Sequence, residues 1–300
     1  LFGLPSFGLY AAMWAAVNLI ENIADLGMTS ALQRTVPQAK TEKEAAASLR
    51  AAMILGVGPC FIIAALVSLF APHLTHVFNT AQSDQVRLAH GIAVFVWTLP
   101  LWAGVEIMTS ALRARRVFGA EVRLRLFWEQ VARMVFAIAF WAAGFGTMSL
   151  LYAHIASLFI IFLLCIRLPG QHYDLRLLRQ GPLVDDMWRD TVKAGLSVLP
   201  TNIVARIFGD APTVVLNILL PGAAGASASG LFSISRKISS IVQLVRTAFA
   251  YVLAPLASLA STGATGRVHG IYSFATRVSF SIALPMGIVL CASGPAILRV

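Results

Sequence analysis

Charged residues are scarce in this chain. Only 12% of its 300 residues are Asp, Glu, Lys or Arg, whereas 58% are apolar and the mean hydropathy is +0.79. A soluble globular domain carries about twice that proportion of charge. The composition therefore excludes an ordinary soluble protein and predicts a chain that crosses a membrane several times.

Cysteine is also rare, and the motifs of common enzyme sites are missing. Cys60, Cys165 and Cys291 each lie in an apolar run, with no Cys or His at metal-ligand spacing. Neither a disulfide framework nor a zinc site is supported by this pattern. The sequence also contains no nucleophile elbow and no phosphate-cradling glycine loop. We therefore expect no enzymatic activity, no cofactor and no metal.

Long apolar runs occupy most of the chain. Alternating runs of about ten residues would indicate an outer-membrane barrel, but these runs have about 20 residues or more, which is the length of a helix that crosses the hydrocarbon layer. The sequence therefore predicts an all-α, polytopic transmembrane helical bundle with about eight spans. These lie near 9–33, 51–71, 91–112, 126–144, 149–168, 195–220, 230–257 and 275–298.

The net charge of +10 is concentrated in alternate connections between these spans. Positive charge in the loops predicts the cytoplasmic side, so we expect the basic connections to be cytoplasmic and the others periplasmic. This placement explains the positive charge without a nucleic-acid partner. The basic connections are 34–50, 113–125 and 167–193, whereas 72–90, 144–149 and 221–229 together contain one basic residue, Arg87.

Two markers recur at nearly the same offset. The motif FGLY, which begins at Phe7, is matched by SGLF, which begins at Ser229, 222 residues later. The prolines that close the second and eighth spans, Pro72 and Pro295, are 223 residues apart. A preserved offset predicts two six-helix lobes in the same orientation, as in transporters built from parallel repeats.

The repeat predicts how the chain is divided. Residues 1–170 form a first lobe without its first helix, and 171–194 form a cytoplasmic connector. Residues 195–300 begin the second lobe. The first span is predicted to run from outside to inside, and the chain begins with Leu1 rather than Met. We therefore expect a fragment of a longer protein.

Polar residues form stripes on three of the predicted helices. Ionisable groups inside a bilayer cost at least about 2.5–3.5 kcal/mol each, so they usually pair or line a cavity. Three such stripes predict a shared polar cavity. The stripes are Asn18, Glu21, Asn22, Asp25 and Thr29 on the first span, Asn202, Arg206, Asp210, Thr213 and Asn217 on the sixth, and Arg236, Lys237, Ser240, Gln243, Arg246 and Thr247 on the seventh.

Some of these charges have a simpler interpretation. Arg206 and Asp210 are one helical turn apart, as are Glu129 and Arg133 on the fourth span, so each pair can neutralise itself. For Glu129 and Arg133 we favour this interpretation. Glu106 and His154 have no partner on their own spans, and we expect each to bond to a neighbouring helix.

Short motifs connect the chain with a known family. They are the FGLY motif at Phe7, ADLG at Ala24 followed by ALQR at Ala31, Asp210 before an apolar run, and GLF at Gly230 with Pro255 closing that helix. In their order and spacing, the chain resembles the polysaccharide flippases of the multidrug/oligosaccharidyl-lipid/polysaccharide (MOP) exporter superfamily, over essentially all 300 residues.

The resemblance implies a function. Such a protein moves a lipid-linked oligosaccharide on a polyprenyl-pyrophosphate carrier from the cytoplasmic to the periplasmic leaflet of the bacterial inner membrane. This step serves cell-surface polysaccharides such as the O-antigen of lipopolysaccharide. The expected partners are the lipid-linked oligosaccharide, membrane lipids, and the polysaccharide polymerase and chain-length machinery.

The polar stripes supply the expected site residues. Basic walls suit a pyrophosphate because the arginine fork binds phosphate oxygens in pairs. We expect Arg206, Arg236, Lys237, Arg246, Asn18 and Asn202 to bind substrate in the cavity, and Glu21, Asp25 and Asp210 to couple ion movement or form ion pairs.

Two alternatives remain. A multidrug or metabolite exporter of the same superfamily would share the fold, but a cavity for cationic drugs should be acidic. An integral-membrane glycosyltransferase or polymerase would need a sizeable catalytic loop outside the membrane, and the longest connection, about 168–194, has no convincing acid/base or metal constellation.

Overall fold

The computed structural model describes residues 2–117, 119, 122–180, 185–240 and 265–297. Within these ranges the chain forms helices and no strand, which confirms the all-α prediction. The helices are α1 (Leu4–Ala24), α2 (Met28–Gln38), α3 (Glu42–Ala52), α4 (Gly58–Leu69), α5 (Gln82–Phe95), α6 (Thr98–Ala114), α7 (Glu129–Ala142), α8 (Ser149–Arg167), α9 (Leu175–Gln180), α10 (Asp186–Leu219), α11 (222–240) and α12 (Thr265–Ile297).

Five helical segments in the described part of the chain are long and apolar enough to cross a membrane: Glu42–Leu69, Gln85–Ala114, Gly146–Arg167, Asp186–Leu219 and Thr276–Gly294. They overlap five of the eight predicted spans and make the protein a multi-pass membrane protein. The predicted spans 9–33 and 126–144 are also helical over most of their length but contain more polar residues. The predicted span 230–257 lies largely outside the described residues.

The prediction of one continuous helix over 9–33 is wrong. Helix α1 ends at Ala24 and α2 begins at Met28, because Leu26 and Gly27 have φ angles of 51° and 74°. A right-handed helix cannot pass through this left-handed region. Gly27 also lies so close to the backbone of Gly195 on α10 that a Cβ atom at position 27 would collide with it.

Helix α10 is the long element against which the first helices pack. It contacts α1, α2 and α3. Its first turn is capped by Asp185, whose carboxylate accepts a hydrogen bond from the Trp188 amide at 2.7 Å. Arg50 lies 3.7 Å from the same carboxylate. The predicted connector 171–194 therefore contains the short helix α9 and the start of α10, which begins nine residues before the predicted span at 195.

Apolar side chains fill the space between α1, α5, α6 and α8. Tyr10, Met13, Phe95 and Leu99 belong to this core. A second core cluster lies between α2, α3 and α6 and includes Met28, Leu49 and Ile107, whose burial fixes α2 against α6 after the break. Faces directed away from these cores are apolar and exposed, as lipid contact requires: examples are Phe61, Ile62, Val135, Phe159, Leu163 and Phe208.

The chain forms two compact units, Leu1–Gly230 and Leu231–Val300. The first contains α1 to α10 and the beginning of α11. The described part of the second contains the rest of α11 and α12. Packing units and repeat lobes need not have the same boundary, so the predicted lobes 1–170 and 195–300, with the fragment hypothesis, stay predictions.

Replacing Gly27 by Ala should destabilise the protein. The left-handed φ costs an ordinary residue about 1–2 kcal/mol, and the new methyl group meets the Gly195 backbone. We expect a lower thermal midpoint in detergent and less folded protein on size exclusion. Gly58→Ala is the matched control, because a Cβ at Gly58 meets no atom within 4 Å. Equal midpoints for the two variants would contradict this account of the break.

Candidate functional site: a polar cavity between α1, α2, α6 and α10

A polar cavity of about 250 Å³ lies inside the first unit, between membrane-spanning helices. It follows the break between α1 and α2 and extends to the facing sides of α6 and α10. Its lining contains three carboxylates and two guanidinium groups among amides and hydroxyls. The lining residues are Glu21, Asn22, Asp25, Thr29, Ser30, Gln33, Glu106, Arg113, Asn202, Ala205 and Arg206.

The break in the helix positions the acidic side of the cavity. Asp25 accepts two hydrogen bonds at its Oδ2 atom, from the Thr29 hydroxyl at 2.7 Å and the Thr29 amide at 3.2 Å. It thereby satisfies amide groups at the start of α2, as an N-terminal capping residue does. The carboxylate also fixes the direction in which α2 leaves the break.

Two polar groups near the break have no partner within the described ranges. The Oδ1 atoms of Asp25 and Asn22 are buried and accept no hydrogen bond from a described residue. Glu21 is only 4% exposed, and its side chain forms neither a hydrogen bond nor a salt bridge with a described residue. Unsatisfied buried oxygens usually bind water, an ion or a proton. The acidic side therefore has unused capacity for a cation or for water.

A π-helical segment, Met53–Val57, faces this acidic side. A Cβ atom added to Gly56 in this segment would lie 2.8 Å from the Asp25 Oδ1 atom. The glycine therefore lets the backbone of this helix approach the carboxylate. Such π-helical segments are frequent at functional sites because they displace one residue out of the regular ladder.

Helix α6 contributes Glu106, whose charge is balanced by arginines. Arg125, from a second π-helical segment (Val122–Trp128), donates to both carboxylate oxygens of Glu106 at 2.6 and 3.0 Å. Its guanidinium also lies 4.6 Å from the ring centroid of Trp102. Arg113, one helical heptad after Glu106, lies 4.0 Å from the same carboxylate. Glu106 therefore connects α6 with the segment before α7.

Helix α10 contributes the basic and amide groups of the opposite wall. The Arg206 side chain is 40% exposed and lies 3.6 Å from the Asp210 carboxylate one turn later. The pairing that the i,i+4 spacing allows is therefore present. Asn202 donates to the Ser30 hydroxyl at 3.4 Å and joins α10 to α2. The exposed part of Arg206 remains available to a ligand in the cavity.

A hydrogen-bond chain closes the cavity between α2 and α6. The Ser110 hydroxyl donates to the Thr29 carbonyl at 2.5 Å and accepts from the Gln33 amide at 3.4 Å. These bonds hold the first turn of α2 against α6. Sequence analysis missed Ser110, Gln33 and Arg113 as members of the site. The seven-residue spacing of Glu106 and Arg113, which places both on one helix face, was the signal that could have found Arg113.

The structure brings together four of the predicted site residues, Glu21, Asp25, Asn202 and Arg206. Asn18 is buried but does not line this cavity. Arg236 and Lys237 belong to the second compact unit. Arg246 lies outside the described residues. On the lining of this cavity acidic groups outnumber basic ones, and the predicted basic cavity, which includes residues outside the first unit, stays a prediction.

The other ionisable groups that the sequence analysis discussed inside spans have partners. Glu129 and Arg133 form an ion pair within α7. The ring of His154 on α8 lies 2.7 Å, Nδ1 to hydroxyl oxygen, from Tyr10 on α1 and is surrounded by Trp14 and Phe95. Both neighbouring-helix predictions are therefore confirmed: Glu106 is bonded by Arg125, and His154 by Tyr10.

The size of the cavity limits what it can bind. Its volume is just below the 300–1,000 Å³ of common ligand pockets, so it has space for a phosphate group or a single sugar unit, but not for a whole lipid-linked glycan. In the part of the chain that the structure describes, no group of three His, Cys, Asp or Glu side chains could hold a metal ion.

Comparison with known proteins agrees with the architecture. The model of a family described as "Polysaccharide biosynthesis protein" matches residues 1–300. This match confirms the resemblance inferred from the motifs. Neither the curated proteins nor the solved structures contain a match to the chain.

Removing Glu106 should cost far more stability than removing an exposed acid in an equally close pair. Glu106→Ala leaves Arg125 desolvated and uncompensated, a change that costs about 3–5 kcal/mol. Glu42, whose side chain is 58% exposed, pairs with Arg115 at 2.6 Å, so Glu42→Ala should cost about 0–1 kcal/mol.

Thermal or denaturant unfolding in detergent measures both values. Adding Arg125→Ala to Glu106→Ala should recover part of the loss, because it removes the uncompensated charge. A Glu106→Ala variant as stable as Glu42→Ala would show that the pair makes no net contribution.

Proposed function

Since the chain belongs to the polysaccharide biosynthesis protein family, we propose that it is a transporter that flips a polyprenyl-pyrophosphate-linked oligosaccharide across the bacterial inner membrane. The direction is from the cytoplasmic to the periplasmic leaflet, by alternating access, for cell-surface polysaccharides such as the O-antigen of lipopolysaccharide. The proposed process breaks no covalent bond, so it needs neither an enzymatic centre nor a cofactor.

One observation carries the proposal: a polar cavity lies within the membrane-spanning helices and exposes an arginine to its interior. Arg206 is 40% exposed, and Asn202, Ser30 and Gln33 add amide and hydroxyl groups. A guanidinium fork binds phosphate oxygens in pairs, and amides and hydroxyls bind sugar hydroxyls. These groups suit the pyrophosphate and the first sugar of the substrate.

The other predicted substrate residues are proposed separately from this cavity. In the proposal, Arg236, Lys237 and Arg246 attract the anionic head group, and Asn18 binds substrate. Arg113, found in the cavity lining, joins this set. The proposed partners are the lipid-linked oligosaccharide and membrane lipids, followed by the polymerase and chain-length machinery that use the exported product. Nucleic acid is not among them.

The acidic side of the cavity has a second role in the proposal. The Glu21 side chain is buried without a hydrogen-bond or ion-pair partner among the described residues, and Asp25 has one unused carboxylate oxygen. A carboxylate at this depth is costly to leave charged and uncompensated, so it takes up a proton or a sodium ion. We propose that Glu21 and Asp25 couple such an ion to the return of the empty transporter, while Asp210 stabilises Arg206.

A different substrate class is the second candidate. The cavity lining contains Glu21, Asp25 and Glu106 against Arg113 and Arg206, and an acidic surplus suits a cation. A multidrug or metabolite exporter of the same superfamily is therefore the alternative function. Transport of a cationic dye by the purified protein, with no effect on lipid-linked glycan, would favour this alternative.

Arg206→Ala should reduce glycan export at least tenfold at normal protein abundance, because the cavity loses its exposed phosphate-binding fork. Arg206→Lys should restore export only in part, since the charge beside Asp210 returns without the fork. The effect is measured as the amount of surface polysaccharide and of lipid-linked glycan left in the cytoplasmic leaflet. For Arg246 we expect the same order of export: wild type, then the Lys variant, then the Ala variant.

Arg123→Ala is the control for a missing arginine, because Arg123 is exposed and bonds the carbonyl of Gly119 in its own segment. It should export normally. Undiminished export by Arg206→Ala would show that Arg206 serves only to neutralise Asp210.

Glu21→Gln should uncouple transport from the ion gradient. The amide has nearly the shape of the carboxyl group but can neither exchange a proton nor attract a cation with a full charge. In vesicles with imposed proton or sodium gradients, we expect wild-type transport to respond to one of them and the variant to respond to neither. Glu44→Gln, on a half-buried side chain outside this cavity, should behave like wild type. A gradient response that survives in Glu21→Gln would remove Glu21 from the coupling step.

A further inference from the structure

The end of α10 is joined to the connection between α4 and α5 by a pair of asparagines 138 residues apart. The backbone amide of Asn79 donates to Asn217 Oδ1 at 2.9 Å, and the side-chain amide of Asn217 donates to the backbone carbonyl of Asn79 at 3.1 Å. The Asn79 side chain donates to the carbonyls of Asn217 at 2.9 Å and Ile218 at 3.2 Å. Its Oδ1 atom accepts from the Gly222 amide at 3.2 Å.

These five bonds close the end of the helix. The last carbonyls of a helix have no partner within it, so they need side chains, water or neighbouring backbone. Asn79 supplies that partner from a distant part of the chain, and Asn217 is fully buried beneath it. Every hydrogen-bonding group of the two side chains is directed across the contact or into the turn after α10.

A second contact lies on the next helix. The Ser229 hydroxyl is bonded to the Gly8 carbonyl on α1 at 3.0 Å. Gly8 lies so close to the Ala226 carbonyl that a Cβ at position 8 would overlap it, and a Cβ at Gly230 would be 3.2 Å from Gly8. Small residues therefore let the starts of α1 and α11 meet backbone to backbone. All these residues lie within the first unit.

The two contacts lie on the side predicted to be periplasmic, at the end of the helix that also carries the candidate site. Asn217 is 11 residues after Arg206, which is about 16 Å along a helix. Between them lie the buried residues Asp210 and Thr213. The position of the end of α10 therefore influences access to the cavity from that side.

The opposite half of α10 is held by contacts of a different kind. Gly195 is in backbone contact with Gly27, and Asp185 pairs with the buried Arg50. Two prolines, Pro200 and Pro212, lie inside the helix between these contacts and the asparagine pair. A proline removes one helical hydrogen bond and permits a kink, so the outer half of α10 can bend while the inner half stays packed.

We propose that Asn79 and Asn217, with the Gly8–Ala226–Ser229 contact, form an outer latch that closes the periplasmic side of the cavity and opens during transport. The inference rests on the proposed function for its alternating access, but not on the identity of the substrate. The latch is suited to reversible opening because its bonds join uncharged amide, hydroxyl and carbonyl groups, so that opening leaves no unpaired charge and water can take their place. Its glycine and alanine contacts contain no interlocking side chains.

Electron paramagnetic resonance distances test the latch directly. Spin labels at His76→Cys and Ala224→Cys, both exposed positions on either side of it, are placed in the full chain with the exposed Cys291 replaced by Ser. We expect mostly one short distance in this parent protein. In Asn79→Ala with Asn217→Ala, the ratio of long to short distances should rise at least tenfold, because nothing then caps α10 from the α4–α5 connection.

Thr75→Ala is the matched control in the same connection. The Thr75 hydroxyl bonds only the Pro72 carbonyl of its own turn, at 2.9 Å, so the variant should keep the parent distances. If the double alanine variant does not fold, Asn79→Asp replaces it: the carboxylate cannot donate to the Asn217 and Ile218 carbonyls and repels them. Parent-like distances in either folded variant would overturn the latch. The measurement needs no substrate, so this result is independent of which molecule is transported.

Discussion

Charges inside a bilayer must be compensated by the protein itself, and this requirement determines how the helices of the first unit are arranged. Arg125 crosses from the segment before α7 to reach Glu106 on α6, and Glu129 is paired with Arg133 within α7. Within the described residues, the buried Glu21 side chain has no such pair. The other two carboxylates of the cavity, Asp25 and Glu106, are bonded by Thr29 and Arg125, so Glu21 is the one with most freedom to exchange a ligand.

The break between α1 and α2 connects this electrostatic requirement with packing. In a continuous helix, Asp25 and Thr29 would lie on one face. Each side chain would then need a hydrogen-bond partner from another helix. Instead, the left-handed Gly27 turns the chain so that Asp25 caps α2 through Thr29, and the missing Cβ admits the α10 backbone at Gly195. Gly27 thus brings α10 close to the break and lets Asp25 bond the start of α2, so we expect its replacement to destabilise the protein.

Local patterns in the sequence predicted the fold class, most spans, and the pairs formed within one helix. Glu129 with Arg133 and Arg206 with Asp210 follow from i,i+4 spacing alone. The Glu106–Arg125 pair could not be predicted, because its partner comes from a different helix whose position depends on the packed fold. Hydropathy also cannot reveal a positive φ, so ADLG at Ala24 was interpreted as part of a continuous helix. Asn79 gave no signal, since a single asparagine in a connection normally means a turn.

The size of the cavity places a constraint on any transport cycle. A volume of about 250 Å³ can hold the anionic group or one sugar, so a lipid-linked oligosaccharide requires the surrounding helices to separate. Separating helices costs least free energy where neutral hydrogen bonds are exchanged for bonds with water. Breaking a buried ion pair costs more, because it leaves charges in a medium that cannot solvate them. Helix α10 has neutral amides at its outer end and the Arg50–Asp185 ion pair at its inner end. Movement of the first unit should therefore begin at the outer end of α10, with the ion-paired end as its fixed point.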